Sequence, residues 1–358
     1  MPPLLAAAAA GDIAEISRLL AAGTSPSMSD DEGRTAAMIA AATGRCEVLD
    51  LLLRKGAAPD AADSRGRTAL MLGAGGGHDE CVNLLLAAGA RVDPKDQDQR
   101  TALSWAAQQG DAATVQRLLK SGAKARHTAR RQATPLHEAA GSGDVATVAA
   151  LLAAGSQPDA AMDNGMTALN LVAWTGDLAS ADVLIEAGAD VDRANDGGIT
   201  PLMTALGRGN EAVAGRLLQA GADHAPRTSV GRTALMYAAT DAPGMIEPLL
   251  KAGASLEEVD GYGLDPLMIA AMHGSETAAR TLLDLGANPH RRTADGLTAL
   301  MLAAQNGRPA LVDILLQAGA DPAATDEAGR SAADYAELEG RADLAARLRE
   351  AVASDSAE

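Results

Sequence analysis

The sequence predicts an all-α solenoid of stacked helix-turn-helix units joined by β-turn fingers. Three observations carry that expectation. A 33-residue period runs the length of the chain, each period repeats the same helix-start and helix-stop residues, and the apolar content is almost free of aromatic bulk. Aligned on a Thr followed by Ala or Pro, the units begin at Thr35, Thr68, Thr101, Thr134, Thr167, Thr200, Thr233, Asp265, Thr298 and Ser331, with Asp and Ser replacing Thr in two of them. The spacing is 33 residues throughout except from Thr233 to Asp265, where it is 32. One more unit extrapolates back to Pro2, with Leu4, Gly11, Leu19, Leu20 and Gly23 in register. The chain therefore divides into an N-terminal unit 1–34, nine internal repeats 35–330 and a C-terminal capping unit 331–358, read together as one domain over 1–358. Such a fixed period marks repeats that bury their apolar faces by stacking on one another.

Within a unit the elements follow in order. The opening Thr is a helix N-cap whose hydroxyl can accept a free N–H of the first turn. Pro135, Pro201 and Pro266 come next, at the first helical position, where a missing N–H costs little. Ala pairs such as Ala106-Ala107, Ala139-Ala140 and Ala303-Ala304 let neighbouring first helices approach closely. A Gly nine residues after the cap ends that helix, as at Gly110 and Gly143. A second helix carries a Leu pair, Leu118-Leu119 or Leu151-Leu152, and stops at a Gly suited to a left-handed C-terminal position, as at Gly122 and Gly155. A polar turn, often Asp-x-x-Gly, leads to the next cap.

Three units are unusual. The first is very apolar, Leu4-Leu5 followed by a run of Ala, and nothing in the sequence precedes it as a cap. The expectation is either that a preceding segment is missing or that this end meets a partner. The unit at Thr233 has lost one residue and its usual turn Gly, and Pro248 is expected inside the second helix, where Pro costs about 3 kcal/mol. The last unit carries a polar outer face of Glu337, Glu339, Arg341, Asp343, Arg347 and Arg349, as a terminal repeat requires.

At these residues the chain resembles the ankyrin-repeat family, in its bacterial-type form. Thr134-Pro135-Leu136-His137-Glu138-Ala139-Ala140 is similar to the family's T-P-L-H-x-A-A signature, and the resemblance covers residues 2–350. Most other units place Met or a small polar residue where the signature has His. The resemblance implies helix pairs with β-turn fingers and a role in binding another protein.

Composition narrows the function further. Phe is absent, and the aromatics are two Trp and three Tyr, so the packed layers are thin. A net charge of −17 disfavours general binding to nucleic acid or to an anionic membrane. No run of 18 apolar residues exists, so no membrane insertion is expected. The six His show no metal-ligand spacing, no HExxH occurs, and no Ser–His–Asp or Cys–His arrangement can be argued. Gly73-Ala74-Gly75-Gly76-Gly77 fails as a phosphate loop because His78 takes the last Gly place and no strand precedes it. Cys46 and Cys81 are both expected as free thiols, Cys81 in the core. The reading is a protein that is not an enzyme, needs no cofactor, and is a monomer on its own. Met1-Pro2-Pro3 lacks a basic n-region, which favours the cytoplasm; the periplasm is the alternative if a signal peptide has been removed.

The candidate surface is the concave face, formed by the residues just before each cap and those seven or eight after it. Trp174, seven after Thr167, is the candidate anchor, because an exposed Trp there is a typical interface hot spot. Arg208 and His273, eight after their caps, share the face, and Tyr262 lies in a finger. Trp105, Tyr237 and Tyr335, four after their caps, fall at core positions. Residues 112–137 hold six Arg or Lys and no acid; Arg130 and Arg131 there, and Arg291 and Arg292 in a second basic finger, are candidate contacts to an acidic partner. The alternative function is an accessory subunit held to an enzyme or membrane complex through the apolar first unit.

Overall fold

The period becomes structure through the hydrogen-bonding needs of two short helices. In the computed structural model, which describes residues 1–355, the cap Thr is extended and in most units its hydroxyl accepts the N–H three residues on, the Thr233 hydroxyl being buried without a partner. Thr35 accepts from Met38 (3.3 Å), Thr200 from Met203 (3.2 Å) and Thr298 from Met301 (3.3 Å). Asp265 and Ser331 do the same for Met268 (2.8 Å) and Asp334 (3.3 Å). Each bond satisfies a first-turn donor that has no partner within its own helix. Most of the internal helices have six to nine residues, too short to stand alone in water, so their stability comes from stacking.

The described chain forms 22 α-helices and two 3-10 turns, and divides into two compact parts, Met1–Asp190 and Val191–Glu358. In the N-terminal part the first helices Pro3–Ala10, Ala36–Ala42, Ala69–Gly75, Ala102–Gln109, Pro135–Ser142 and Ala168–Thr175 pack in a row. The second helices, among them Cys46–Arg54, Asp79–Ala87, Ala112–Lys120 and Val145–Ala153, pack as a second row against them. In the C-terminal part Pro201–Leu206, Ala234–Asp241, Pro266–His273, Ala299–Gln305 and Ala332–Leu338 form the first row, each backed by its own second helix. The architecture is thus an all-α repeat solenoid. The core sits between rows: Ala106, Ala107, Ala139, Ala140, Ala303 and Ala304 are all fully buried, as are Leu118 and Leu151. Three isolated β-bridges, such as Ala62 with Thr68, close fingers at their bases.

Several expectations change. Leu4 and Leu5 are fully buried, turned onto the first helix of the next unit rather than presented outward. Cys46 and Cys81 are not free thiols. They form a disulfide between the second helices of adjacent units, with Cα atoms 4.9 Å apart. Stacked second helices are offset by about two residues, so a residue meets the one 35 further on rather than 33; Asp79 accepts the Thr114 hydroxyl at the same separation. Pro248 does not interrupt a helix. A 3-10 turn, Pro243–Met245, precedes a shortened helix Ile246–Lys251, which puts Pro248 in the first turn, where no intrahelical N–H bond is required. Tyr335 is buried as expected, whereas Trp105 and Tyr237 are half-buried because they sit at the edge of the core. Arg349 pairs with Glu337 within the last unit, whereas Arg347, expected on its outer face, reaches back to Asp313 of the preceding unit, and Arg341 packs against Gly307. The final three residues of the expected cap, 356–358, lie outside the described residues.

Candidate interaction surface

In five of the fingers one Asp, at 30, 63, 96, 260 or 326, organises the turn, and Asn195, Thr228 and Thr293 take that place in three others. Asp63 Oδ1 accepts the N–H groups of Arg65 (2.9 Å) and Arg67 (2.8 Å), while Oδ2 takes the Arg67 guanidinium (2.7 Å). Asp30 with Arg34 and Asp326 with Arg330 repeat the pattern, each ion pair at 2.8 Å. The turn needs a left-handed residue, supplied for example by Gly66 (φ 75°). Backbone bonds tie one finger to the next: Ser64 N–H to Glu32 O, Gln97 to Arg65, Arg130 to Asp98 and Asp163 to Arg131, at 2.8–2.9 Å. In two consecutive fingers the turn Gly is absent. Among the described residues the positive-φ positions that are not Gly are Gln99 (φ 61°), Arg131 (φ 58°) and Gln132 (φ 56°). Each costs about 1 kcal/mol or more relative to Gly.

The same region departs from the Asp–Arg pattern. Asp96 Oδ1 still accepts the N–H groups of Asp98 and Arg100, but Oδ2 takes the indole N–H of Trp105 (3.1 Å). Arg100 turns to other partners. It stacks 4.4 Å over the Trp105 ring, hydrogen-bonds Gln108, and leaves its Nε 4.0 Å from Glu138. That Nε is buried without a hydrogen bond. Burial holds the Glu138 carboxyl above the usual carboxylate range, with Arg100 pulling the other way. Beside this pair lies a recess of about 480 Å³, lined by Gln108, His137, Glu138, Gly141, Met162 and Leu171 among others. Trp174 stands one turn beyond Leu171 on the same helix and is 52% exposed.

His137 has a structural task at the edge of the recess. The Thr134 N–H donates to its Nδ1 (3.1 Å), so Nε2 carries the proton and donates to the Met166 carbonyl of the next finger (3.2 Å). Burial lowers its pKa from the usual imidazole value. Units without this His do not have that particular bridge.

The sequence candidates are distributed as follows. Trp174 and Tyr262 are strongly exposed, Tyr262 at 69% beside the exposed fingertip Val230, whose carbonyl accepts the Gly261 N–H (2.8 Å). Arg208 and His273 are exposed on the C-terminal part, and desolvation lowers the His273 pKa. The basic fingers are held by neighbouring carboxylates. Arg130 pairs with Asp98 (3.2 Å) and Arg131 with Asp163 (3.6 Å). Arg291 is half-buried between Glu257 and Asp265, and Arg292 donates to the Thr325 carbonyl (3.1 Å). Trp174 lies one helical turn from the recess-lining Leu171, while Arg208, Tyr262, His273, Arg291 and Arg292 belong to the C-terminal part. Sequence reasoning missed Arg100, Gln108 and Glu138. The signal for them was Gln99, which occupies a finger-Gly position.

Among the described residues no group of His, Cys, Asp and Glu could hold a metal ion, and no helix is long and apolar enough to cross a membrane. The profile of the family described as "Ankyrin repeats (3 copies)" matches residues 4–98, 103–195, 181–260, 242–326 and 267–353. Among solved structures, the crystal structure of the human ASB11 ankyrin repeat domain is similar: it is 29% identical, covers 61% of this chain and 98% of that chain, and superposes with a TM-score of 0.56. No curated protein matches the chain at a significant level.

Proposed function

Because the chain belongs to the ankyrin-repeat family, whose repeats generally mediate protein–protein interaction, we propose that it is a non-enzymatic scaffold or adaptor that grips a partner protein along its finger and inner-helix face. One observation carries the reading: an exposed Trp174 standing beside a recess with a half-buried Arg100–Glu138 pair. An aromatic anchor beside partly desolvated polar groups is the usual composition of a hot spot. The adaptor acts as a monomer and needs no cofactor. The burial of Leu4 and Leu5 weighs against the rival reading, an accessory subunit docked through the first unit, since the apolar side chains it would use face inward. The Cys46–Cys81 disulfide favours the periplasmic alternative over the cytoplasm, because structural disulfides persist in oxidising compartments.

Site-specific photo-crosslinking tests the reading. A photoreactive residue at Ser142, on the recess, should capture a defined partner from source-cell extract that the same residue at Gln116, exposed on a second helix, does not. Equal capture at both positions would place binding off this face.

A further inference from the structure

A different surface of the N-terminal part breaks a pattern that the adjacent repeats keep, while later repeats place Ala225, His290 and Ala323 at the same position. In the turn after the second helix, Asp60, Asp93, Asp159 and Asp192 occupy one register position in four units. Each carboxylate accepts a backbone N–H from the corresponding turn of the next unit: Arg91 (2.8 Å), Lys124 (3.2 Å), Asp190 (2.9 Å) and Asp223 (2.8 Å). In the unit that begins at Thr101 this position holds Arg126. Arg126 cannot accept the bond. It points its Nε at the Gly155 carbonyl instead (2.7 Å). The Asp-to-backbone bond of the adjacent repeats is replaced here by an Arg-to-carbonyl bond, and the charge at this position is reversed between Asp93 and Asp159.

The reversal is not isolated. Arg126 lines an open recess of about 570 Å³ with Lys124, His127, Thr128 and Ala154. Lys120 ends the helix that leads into the same turn. Both lysines are exposed, and no carboxylate pairs with either ammonium group among the described residues. The other cations of the basic run are occupied: Arg117 by Asp79, Arg130 by Asp98 and Arg131 by Asp163. Asp93 approaches only through the backbone N–H of Lys124.

We propose that this recess is a second docking site, separate from the inner-helix face, for a short acidic segment of a partner protein. The positive charge is concentrated in one repeat, with Asp93 and Asp159 in the flanking turns and a chain of net charge −17 around it; the preceding turn adds Arg91, paired with Asp60, and Lys95. An extended polyanion or an anionic bilayer would overlie those acids as well. A run of a few Glu or Asp side chains contacts the cations alone.

The test uses the full chain and fluorescein-labelled octaglutamate, read by fluorescence anisotropy in 0.1 M salt, where exposed charges act over about 10 Å. The wild type should bind the peptide, and Lys120→Glu with Lys124→Glu should weaken it by about tenfold or more while leaving the circular dichroism unchanged. Arg126→Asp restores the repeated pattern, so it should fold at least as stably and yet lose the peptide to a similar degree. Trp174→Ala should leave this binding unaltered, which separates the site from the surface proposed above. Failure of the wild type to bind, affinity within about twofold for Arg126→Asp, or equal or tighter binding of a single-stranded oligonucleotide or phosphatidylserine vesicles would overturn the proposal.

Discussion

Breaking the Cys46–Cys81 disulfide should weaken the N-terminal part by an amount that follows from chain entropy. The bond closes a segment of 35 residues. Cross-linking a loop of that length removes unfolded-state entropy equivalent to about 4 kcal/mol at 25 °C. Repeat arrays couple mainly to their nearest neighbours, so the loss should concentrate in the units that carry the two cysteines. Cys46→Ser is the preferred perturbation, because Cys46 is half-buried at a helix start, whereas Cys81 is fully buried and its replacement would add a packing cost. Urea denaturation combined with hydrogen exchange resolves the effect. Amides in Cys46–Arg54 and Asp79–Ala87 should exchange up to about a thousandfold faster in the variant, at about 1.4 kcal/mol per decade. Treating the wild type with dithiothreitol should reproduce the change, and adding the reductant to the variant should do nothing more. Two titratable thiols in denatured, non-reduced protein, or a reduction that leaves exchange in both helices within about twofold, would refute the reasoning.

Other expectations follow from single contacts. Pro248→Ala should alter urea stability by less than about 1 kcal/mol, because Pro248 lies in a first turn; a gain near 3 kcal/mol would mean that the proline does interrupt a helix. The Asp326 carboxyl is drawn down to about 2, first by the Tyr335 hydroxyl (2.7 Å) and then by backbone N–H and Arg330 contacts. A depressed carboxylate stabilises above its unfolded value of 3.8 and loses that contribution as pH falls through about 2, so Tyr335→Phe should raise the Asp326 pKa measured by NMR and move acid unfolding of the last unit to higher pH. His137 is held neutral by burial, so its contribution is complete above 6.5 and declines as pH falls through its lowered pKa; His137→Ala should cost about 1–2 kcal/mol at neutral pH through the lost cap and inter-finger bond. Arg130→Glu with Arg131→Glu should change stability by less than about 1 kcal/mol, since both ion pairs are exposed; association with the captured partner should slow and lose salt dependence if the finger contacts it.

The repeat was legible because its signals are local. A Thr cap, a Gly stop and an Ala pair act within one helix and recur at a fixed spacing, so each unit confirms the next. What was not legible depends on how units stack. The disulfide was hidden because neighbouring second helices meet at a separation of 35 rather than at the sequence period, a shift shared by Asp79 and Thr114. The basic fingers showed their charge in the sequence but not Asp98 and Asp163, which lie in adjacent fingers. Trp174 was legible by register alone. The Arg100–Glu138 pair was not, because it joins adjacent units and depends on Arg100 turning towards Gln108 and Glu138 while the Trp105 indole bonds Asp96.

The central claim is that a partner protein is gripped at the Trp174 face, and its most direct test is the affinity of the cross-linked partner for Trp174→Ala, measured by isothermal calorimetry on purified proteins. Truncating a hot-spot Trp commonly costs about 2 kcal/mol or more, so binding should weaken by about thirtyfold with the circular dichroism and urea midpoint unchanged. An affinity within about twofold of wild type would contradict the account.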